Sequence, residues 1–204
     1  VQLSLKALKI KFESQKIIDD FTATFQSPLW VHFKIKDQTV ARRLLATLAS
    51  FYRPFEGEIL WEKGSIYYWL DEYRANIRFF EANRDLFDYF TVQQSLELYS
   101  EYFDLSGTAD IDIYGDLDRQ QKIHDLTREE EVRLKLSTFL PEDRSLLFFA
   151  NPFSSGNIKK RTELVKCFKK ICQKNTLIFT AGVNNLVEAD RVIETVPVST
   201  GGEE

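Results

Sequence analysis

Three short runs of almost uninterrupted apolar residues constrain this chain more than any other feature: LWVHFKI at 29–35, SLLFFANPF at 145–153 and TLIFT at 176–180. A strand with one wet face alternates apolar and polar residues, so a continuous run predicts a strand covered on both faces, as in a parallel sheet. The segments that follow these runs change period. Val40, Leu44, Leu45, Leu48 and Phe51 form a helical stripe over 39–51, and a long amphipathic helix is expected over 158–173. Buried strands alternating with helices predict an α/β fold, a mostly parallel sheet flanked by helices.

The remaining segments add two further parts. Leu3, Leu5, Leu8, Ile10 and Phe12 nearly alternate with polar residues, and Phe21, Ala23 and Phe25 do so again after a polar turn at Gln15-Lys16. This predicts an N-terminal antiparallel β part. Pro54 and Gly57 are expected to close the first helix, EGEILWEKGSIYYWL to form a hairpin turning at Lys63-Gly64, and IRFF (77–80) to form a strand. Thr91 reads as the N-cap of a helix carrying Leu96, Tyr99 and Phe103 on one face, and Thr127 as the N-cap of another with Glu130 as its capping-box partner. These belong to a small helical part at about 92–140. A short helix near Asn185, a strand at 191–195 and a frayed tail at 200–204 complete one domain over 1–204.

Charge and cysteine usage narrow the function classes. A net charge of −4 excludes a general nucleic-acid binder. No apolar run approaches the roughly 18 residues of a membrane-crossing helix. Cys167 and Cys172 sit five positions apart, about 500° around a helix, so their thiols diverge and no disulfide is expected. Reduced thiols point to the cytoplasm. Asp104, Asp110, Asp112, Asp116 and Asp118 lack the order of a calcium loop and read as solvated. The lysines of the 158–174 helix read as a solvated face.

Five stretches, taken in order, carry a resemblance. They are Phe12, LATLASFYRPFEGEI (45–59), IRFFEANRDLFDYFTVQQSL (77–96), LTREEEVRLKLSTFLPEDRSLLFFANP (126–152) and FTAGVNNLVEADRVI (179–193). Their order and spacing resemble the ATP-binding domain of ABC transporters over about residues 3 to 195. The resemblance implies a P-loop NTPase-like fold. It also implies where chemistry should sit, with Phe12 at the adenine-stacking aromatic.

The chemistry itself is replaced at each of those places. The stretch aligned with the phosphate loop is Ile35 to Arg43, without a glycine; Ala41 stands at the lysine position and Arg42 at the Mg²⁺-binding hydroxyl position. Val40 does not suit a loop needing positive φ, so a plain strand-to-helix turn is expected. Ala82 takes the Q-loop glutamine position. Leu126 to Glu130 replaces the signature motif, with Thr127 inside it and Glu129 set to repel a phosphate. Ala150 and Asn151 stand at the metal-binding acid and the general base, Asn157 at the D-loop aspartate and Ala181 at the switch histidine. Phosphate cradle, metal ligand and base are thus lost together, so neither ATP hydrolysis nor a cofactor or metal is expected. The sequence leaves two states of the cleft, open or filled by side chains, and the bulky Trp30, Phe33 and Arg43 nearby are compatible with filling.

The resemblance then implies a binding or scaffolding subunit partnered by a membrane permease or an active ABC ATPase. The contact would run through about 82–105, with Arg84, Phe87, Tyr89 and Phe90 as interface residues, and bring the chain to the inner face of the membrane. The alternative is a stand-alone domain that binds a nucleotide or small anion without hydrolysis, through Phe12, Lys36, Arg42 and Arg43.

Overall fold

The computed structural model describes residues 1–13, 15–62, 64–80, 88–102, 117–138, 146–153, 158–172, 176–183 and 188–195. Ala82, Arg84, Phe87 and Asn157, the acids 104–116, the helix near Asn185 and the terminal tail lie outside them.

Two sheets form. The antiparallel one has the order β2-β1-β4-β5, from β1 (Gln2–Phe12), β2 (Gln15–Gln26), β4 (Glu56–Trp61) and β5 (Gly64–Ser65). The other is parallel throughout, in the order β6-β7-β8-β3-β9. Its strands are β3 (Leu29–Lys34), β6 (Ile77–Phe80), β7 (Leu146–Ala150), β8 (Leu177–Gly182) and β9 (Arg191–Glu194). The helices are α1 (Gln38–Leu48), α2 (Leu70–Ala75), α3 (Val92–Tyr102), α4 (Arg128–Thr138) and α5 (Ile158–Cys172). This is a P-loop NTPase-like fold with an antiparallel sheet beside the parallel one, and the apolar runs are its central strands.

Strand period 2 splits those runs between two cores. Leu146, Phe148 and Ala150 of β7, with Leu177, Phe179 and Ala181 of β8, join β1, β4 and α1 in one cluster. Leu147, Phe149 and Ile178 face the other way, onto Val132 and Leu136 of α4 and Leu164, Phe168 and Ile171 of α5. Each fully buried Phe contributes roughly 1.5–3 kcal/mol, so these strands hold both layers to the sheet. Val92, Leu117, Ile123, Leu126 and Leu134 build a third, smaller cluster between α3 and α4. Cys167 and Cys172 are free and buried, and burial pushes the Cys172 thiol up to about 11.

The first helix ends earlier than its stripe. Ser50 has φ +67°, its N–H donates to the Thr47 carbonyl, and the Phe51 N–H donates to the Ala46 carbonyl. That is a Schellman termination with Ser in the usual glycine place. It turns Phe51 out of the core to 56 % exposure, where the helical stripe placed it inside. Pro54 and Gly57 play no part in this stop. Gly57 lies in β4 at φ +87°, and a Cβ there would sit 2.3 Å from the Ala7 carbonyl oxygen. Ala7 itself is left-handed, at the irregularity between Lys6 and Lys9 where β1 meets β4.

Both expected N-caps form, and at Thr91 a reciprocal pair with Gln94 makes a full capping box. Thr91 and Gln94 exchange hydrogen bonds, the Gln94 N–H donating to Oγ1 and the Thr91 N–H to Oε1. At α4 both the N–H and the hydroxyl of Thr127 donate to Glu130 Oε2, at 2.8 and 2.7 Å, while Lys160 of α5 reaches Oε1 at 2.8 Å. Burial works to raise the Glu130 pKa, but the bonds from Lys160 and Thr127 outweigh it and hold the carboxyl below its usual range. The next residue behaves oppositely: burial pushes Glu131 up, against Arg128 and Lys135.

Gly57→Ala should destabilise the fold by about 2 kcal/mol or more, since left-handed backbone alone costs a side chain about 1–2 kcal/mol; urea unfolding reads it. Glu130→Gln should cost about 1–2 kcal/mol at neutral pH. A depressed carboxyl stabilises only above its unfolded pKa of about 4.3, so this loss should fade as pH falls below that value. Glu131→Gln should show the opposite slope, its stability rising relative to the wild type as pH increases. Unfolding curves of the variants at several pH values measure both slopes.

Candidate functional site

In open parallel sheets ligands bind beyond the carboxyl ends of the strands. Here those ends belong to β3, β7 and β8, and the starts of α1 and α4 lie beside them.

The connection from β3 to α1 is three residues long, Ile35 to Asp37. The Ile35 N–H donates to the Gly182 carbonyl at 2.9 Å, which ties the turn to the end of β8. Asp37 is the N-cap: its Oδ1 accepts the N–H groups of Thr39 and Val40 at 2.7 and 3.0 Å, and its carbonyl accepts that of Ala41. No residue from 35 to 43 has positive φ. The expected plain strand-to-helix turn is thus what forms, with Val40 buried inside the helix. The open N–H groups of a helix start attract anions. In this chain the carboxylate of Asp37 already holds two of them.

Three of the positions singled out by the resemblance are apolar side chains inside the core. Ala41 and Ala181 are fully buried, Ala150 nearly so, and all three belong to the core cluster between the sheets. Ala150 pairs with Ala181 across β7 and β8, and Ala181 pairs with Phe33 across β8 and β3.

Asn151 follows β7 in a left-handed conformation, φ +50°. Its N–H donates to the Ala181 carbonyl at 2.8 Å, and its side-chain Nδ2 reaches the Gln38 carbonyl at 3.4 Å. The side chain therefore spans from the end of β7 to the first turn of α1. It passes Gly182 so closely that a Cβ there would lie 3.0 Å from Oδ1. Arg128, the first residue of α4, closes the same end from the other face: Nε donates to the Asn151 carbonyl at 3.0 Å and Nη2 to the Ala150 carbonyl at 3.1 Å. Burial lowers its pKa, with Glu131 acting against that. A cavity of about 10 Å³ beside it, lined by Phe80, Glu131, Lys135 and Phe149 among others, has room for roughly one water.

Several sequence expectations are corrected. Glu129 does not face outward to repel a phosphate: it is 1 % exposed, on the inward side of α4. Thr127 acts as a helix cap. Trp30 and Phe33 do not fill a cleft, because adjacent residues of β3 point to opposite faces; Trp30 packs on Phe168 in one core and Phe33 on Phe179 in the other. Asn151 and Arg128 close the strand ends instead. The trio Lys36, Arg42 and Arg43 does not form a common anion site. Lys36 is exposed at the turn, Arg42 is half-buried one turn into α1, and the Arg43 guanidinium lies 3.5 Å over the Tyr52 ring beyond the helix's far end. Phe12 is half-buried against the core at the β1–β2 hairpin. Tyr89 is 85 % exposed, whereas Phe90 packs against the helical cluster. The lysine-rich α5 is partly tied down, through Lys160 to Glu130 and Arg161 to Glu188.

Sequence reasoning missed Asp37 and Arg128. An Asp just before a helical stripe is a readable N-cap signal; nothing local marks an arginine that reaches carbonyls more than twenty residues away.

No protein-family model matches the chain, and no curated protein does. Solved structures do. The fold is similar to a Pyrococcus furiosus protein described as an ABC transporter ATP-binding protein, with TM-score 0.77 and 15 % identity over 96 % of this chain and 98 % of that one. It is similar to a dimeric ATP-binding cassette bound to ADP and Pi in a post-hydrolysis state, with TM-score 0.71 and 14 % identity over 95 % and 94 %. It is also similar to cbiO1 from Clostridium perfringens, part of the ABC transporter complex cbiONQ, with TM-score 0.73 and 14 % identity over 94 % and 83 %. The chain has the fold of ABC transporter ATP-binding domains, and at this level of identity the likeness extends to the fold alone.

Proposed function

We propose that this chain is a catalytically inactive ABC ATPase-like subunit, a binding or scaffolding partner of a membrane permease or of an active ATPase subunit. One observation carries the reading. The three positions that the resemblance sets at the phosphate-binding lysine, the metal-binding acid and the switch histidine are alanines in a single apolar core. Phosphoryl transfer is accelerated by charge held around the transferred group, and three buried methyl groups supply none. The Asp37 carboxylate on the amides of α1 supports the same reading, since an incoming phosphate would have to displace it. Glu129, turned inward, adds nothing to a partner's site. The whole of 1–204 acts as one domain in this reading, with its helical part at about 92–140 turned to the partner through 82–105. The exposed Tyr89 belongs to that contact. The chain would then sit at the inner face of the membrane through its partner.

Calorimetric titration with Mg-ATP should show no binding into the millimolar range; saturable sub-millimolar binding overturns the reading. Asp37→Ala should lower stability by about 1 kcal/mol through the lost cap, without opening a nucleotide site. Purification of the tagged chain from its own host should recover a permease or an intact ATPase subunit, and a monomer that recovers neither counts against the partner role.

A further inference from the structure

The far end of α1, remote from its capped start, opens onto uncovered aromatic rings. The Schellman turn throws out Phe51 and Tyr52, and Phe55 follows; Tyr68 and Trp69 stand on the segment leading into α2. Contacts join the two segments into one surface. Tyr67 Oη donates to the Tyr52 carbonyl at 3.5 Å, Arg74 donates to the Ser50 carbonyl and Oγ at 3.1 Å each, and the Phe51 ring packs edge-on against Phe79 at 5.3 Å. Single exposed apolar side chains are ordinary, but five large ones on two fastened segments mark a surface meant to be covered.

Charge says what covers it. The Lys11 ammonium sits 3.4 Å over the Phe55 ring, the Arg43 guanidinium 3.5 Å over Tyr52, and Arg53 5.1 Å from the centre of Tyr67. Among the described residues none of these three cations meets a carboxylate, and Arg43 Nε is buried without a hydrogen-bond partner. Lys9, Lys34 and Arg133, by contrast, each form an ion pair. The surface thus offers positive charge laid flat on rings and, among the described residues, not fixed in an ion pair; Lys11 acts on Asp19 only from a distance. Asp71 and Glu72, exposed in the first turn of α2 next to Trp69, put negative charge at one edge. That edge opposes an anionic lipid surface, whose charge has one sign everywhere. A peptide can match both signs.

We propose that this face docks an acidic amphipathic segment of a protein partner. Its apolar side chains would lie on Phe51, Tyr52 and Trp69, and its carboxylates on Lys11, Arg43 and Arg53. The proposal rests on the reading of the chain as a binding subunit, and it adds a contact surface to the one around Tyr89.

Selection from a random-peptide display library on the immobilised full chain tests it. The expected winners combine Asp or Glu with Leu, Phe or Trp, and their synthetic forms change the fluorescence of Trp69. Their affinity should fall about tenfold or more in an Arg43→Glu/Arg53→Glu variant and in a Tyr68→Ser/Trp69→Ala variant, and should hold in Tyr89→Ala. The second of these variants carries the test if charge reversal at Arg43 disturbs the fold. Peptides without acidic enrichment, binding that ignores these substitutions, or flotation with phosphatidylserine vesicles through the same residues would each overturn it. None of those results touches the reading of an inactive subunit, which fails instead on Mg-ATP binding.

Discussion

The way α1 lies across the carboxyl ends of β7 and β8 sets everything at that edge of the parallel sheet. The helix starts three residues after β3, so its first turns rest directly on the strand ends. Such close approach needs small residues on both sides, and Ala41 of the helix and Ala150 and Ala181 of the strands supply them. Larger polar groups at these positions would have to be desolvated inside an apolar cluster or push the helix away. In the proposed reading, packing and chemistry compete for the same space here, and packing takes it.

The polar groups left at this edge satisfy one another. Asp37 takes amides of α1, Asn151 bridges to Gln38, and Arg128 collects the carbonyls of Ala150 and Asn151. Asp37 is exposed and Asn151 and Arg128 are half-buried, so a ligand entering here has to exchange these bonds for its own. The network also joins the start of α4 to the end of β7. It couples the helical cluster mechanically to the sheet, while the outward-facing rings at the other end of α1 take no part in it.

The layered fold was legible because its central strands are buried on both sides: LLFFA and LIF are apolar throughout and distribute their side chains alternately to two cores. The two helix N-caps, and Glu130 as the partner of Thr127, were legible because they are local. Less local features were not. Ser50 carries no mark of a left-handed conformation, so the helical stripe wrongly placed Phe51 inside. Asn151 and Gln38 are 113 positions apart, and no pattern in either segment announces their contact. Alignment with a family placed Glu129 at an exposed motif, yet its place on the turn of α4 points it inward. The alanines at 41, 150 and 181 could be read directly; how the space around them is packed could not.

The central claim is that the edge where a nucleotide would bind is closed by the chain's own groups. Backbone amide shifts of residues 36–40 and of Asn151, followed by NMR while Mg-ATP is added, test it most directly. The account predicts that these signals stay where they are into the millimolar range. Saturable shifts of the Thr39 and Val40 amides would contradict it, because they would mean that a phosphate can take the place of the Asp37 carboxylate.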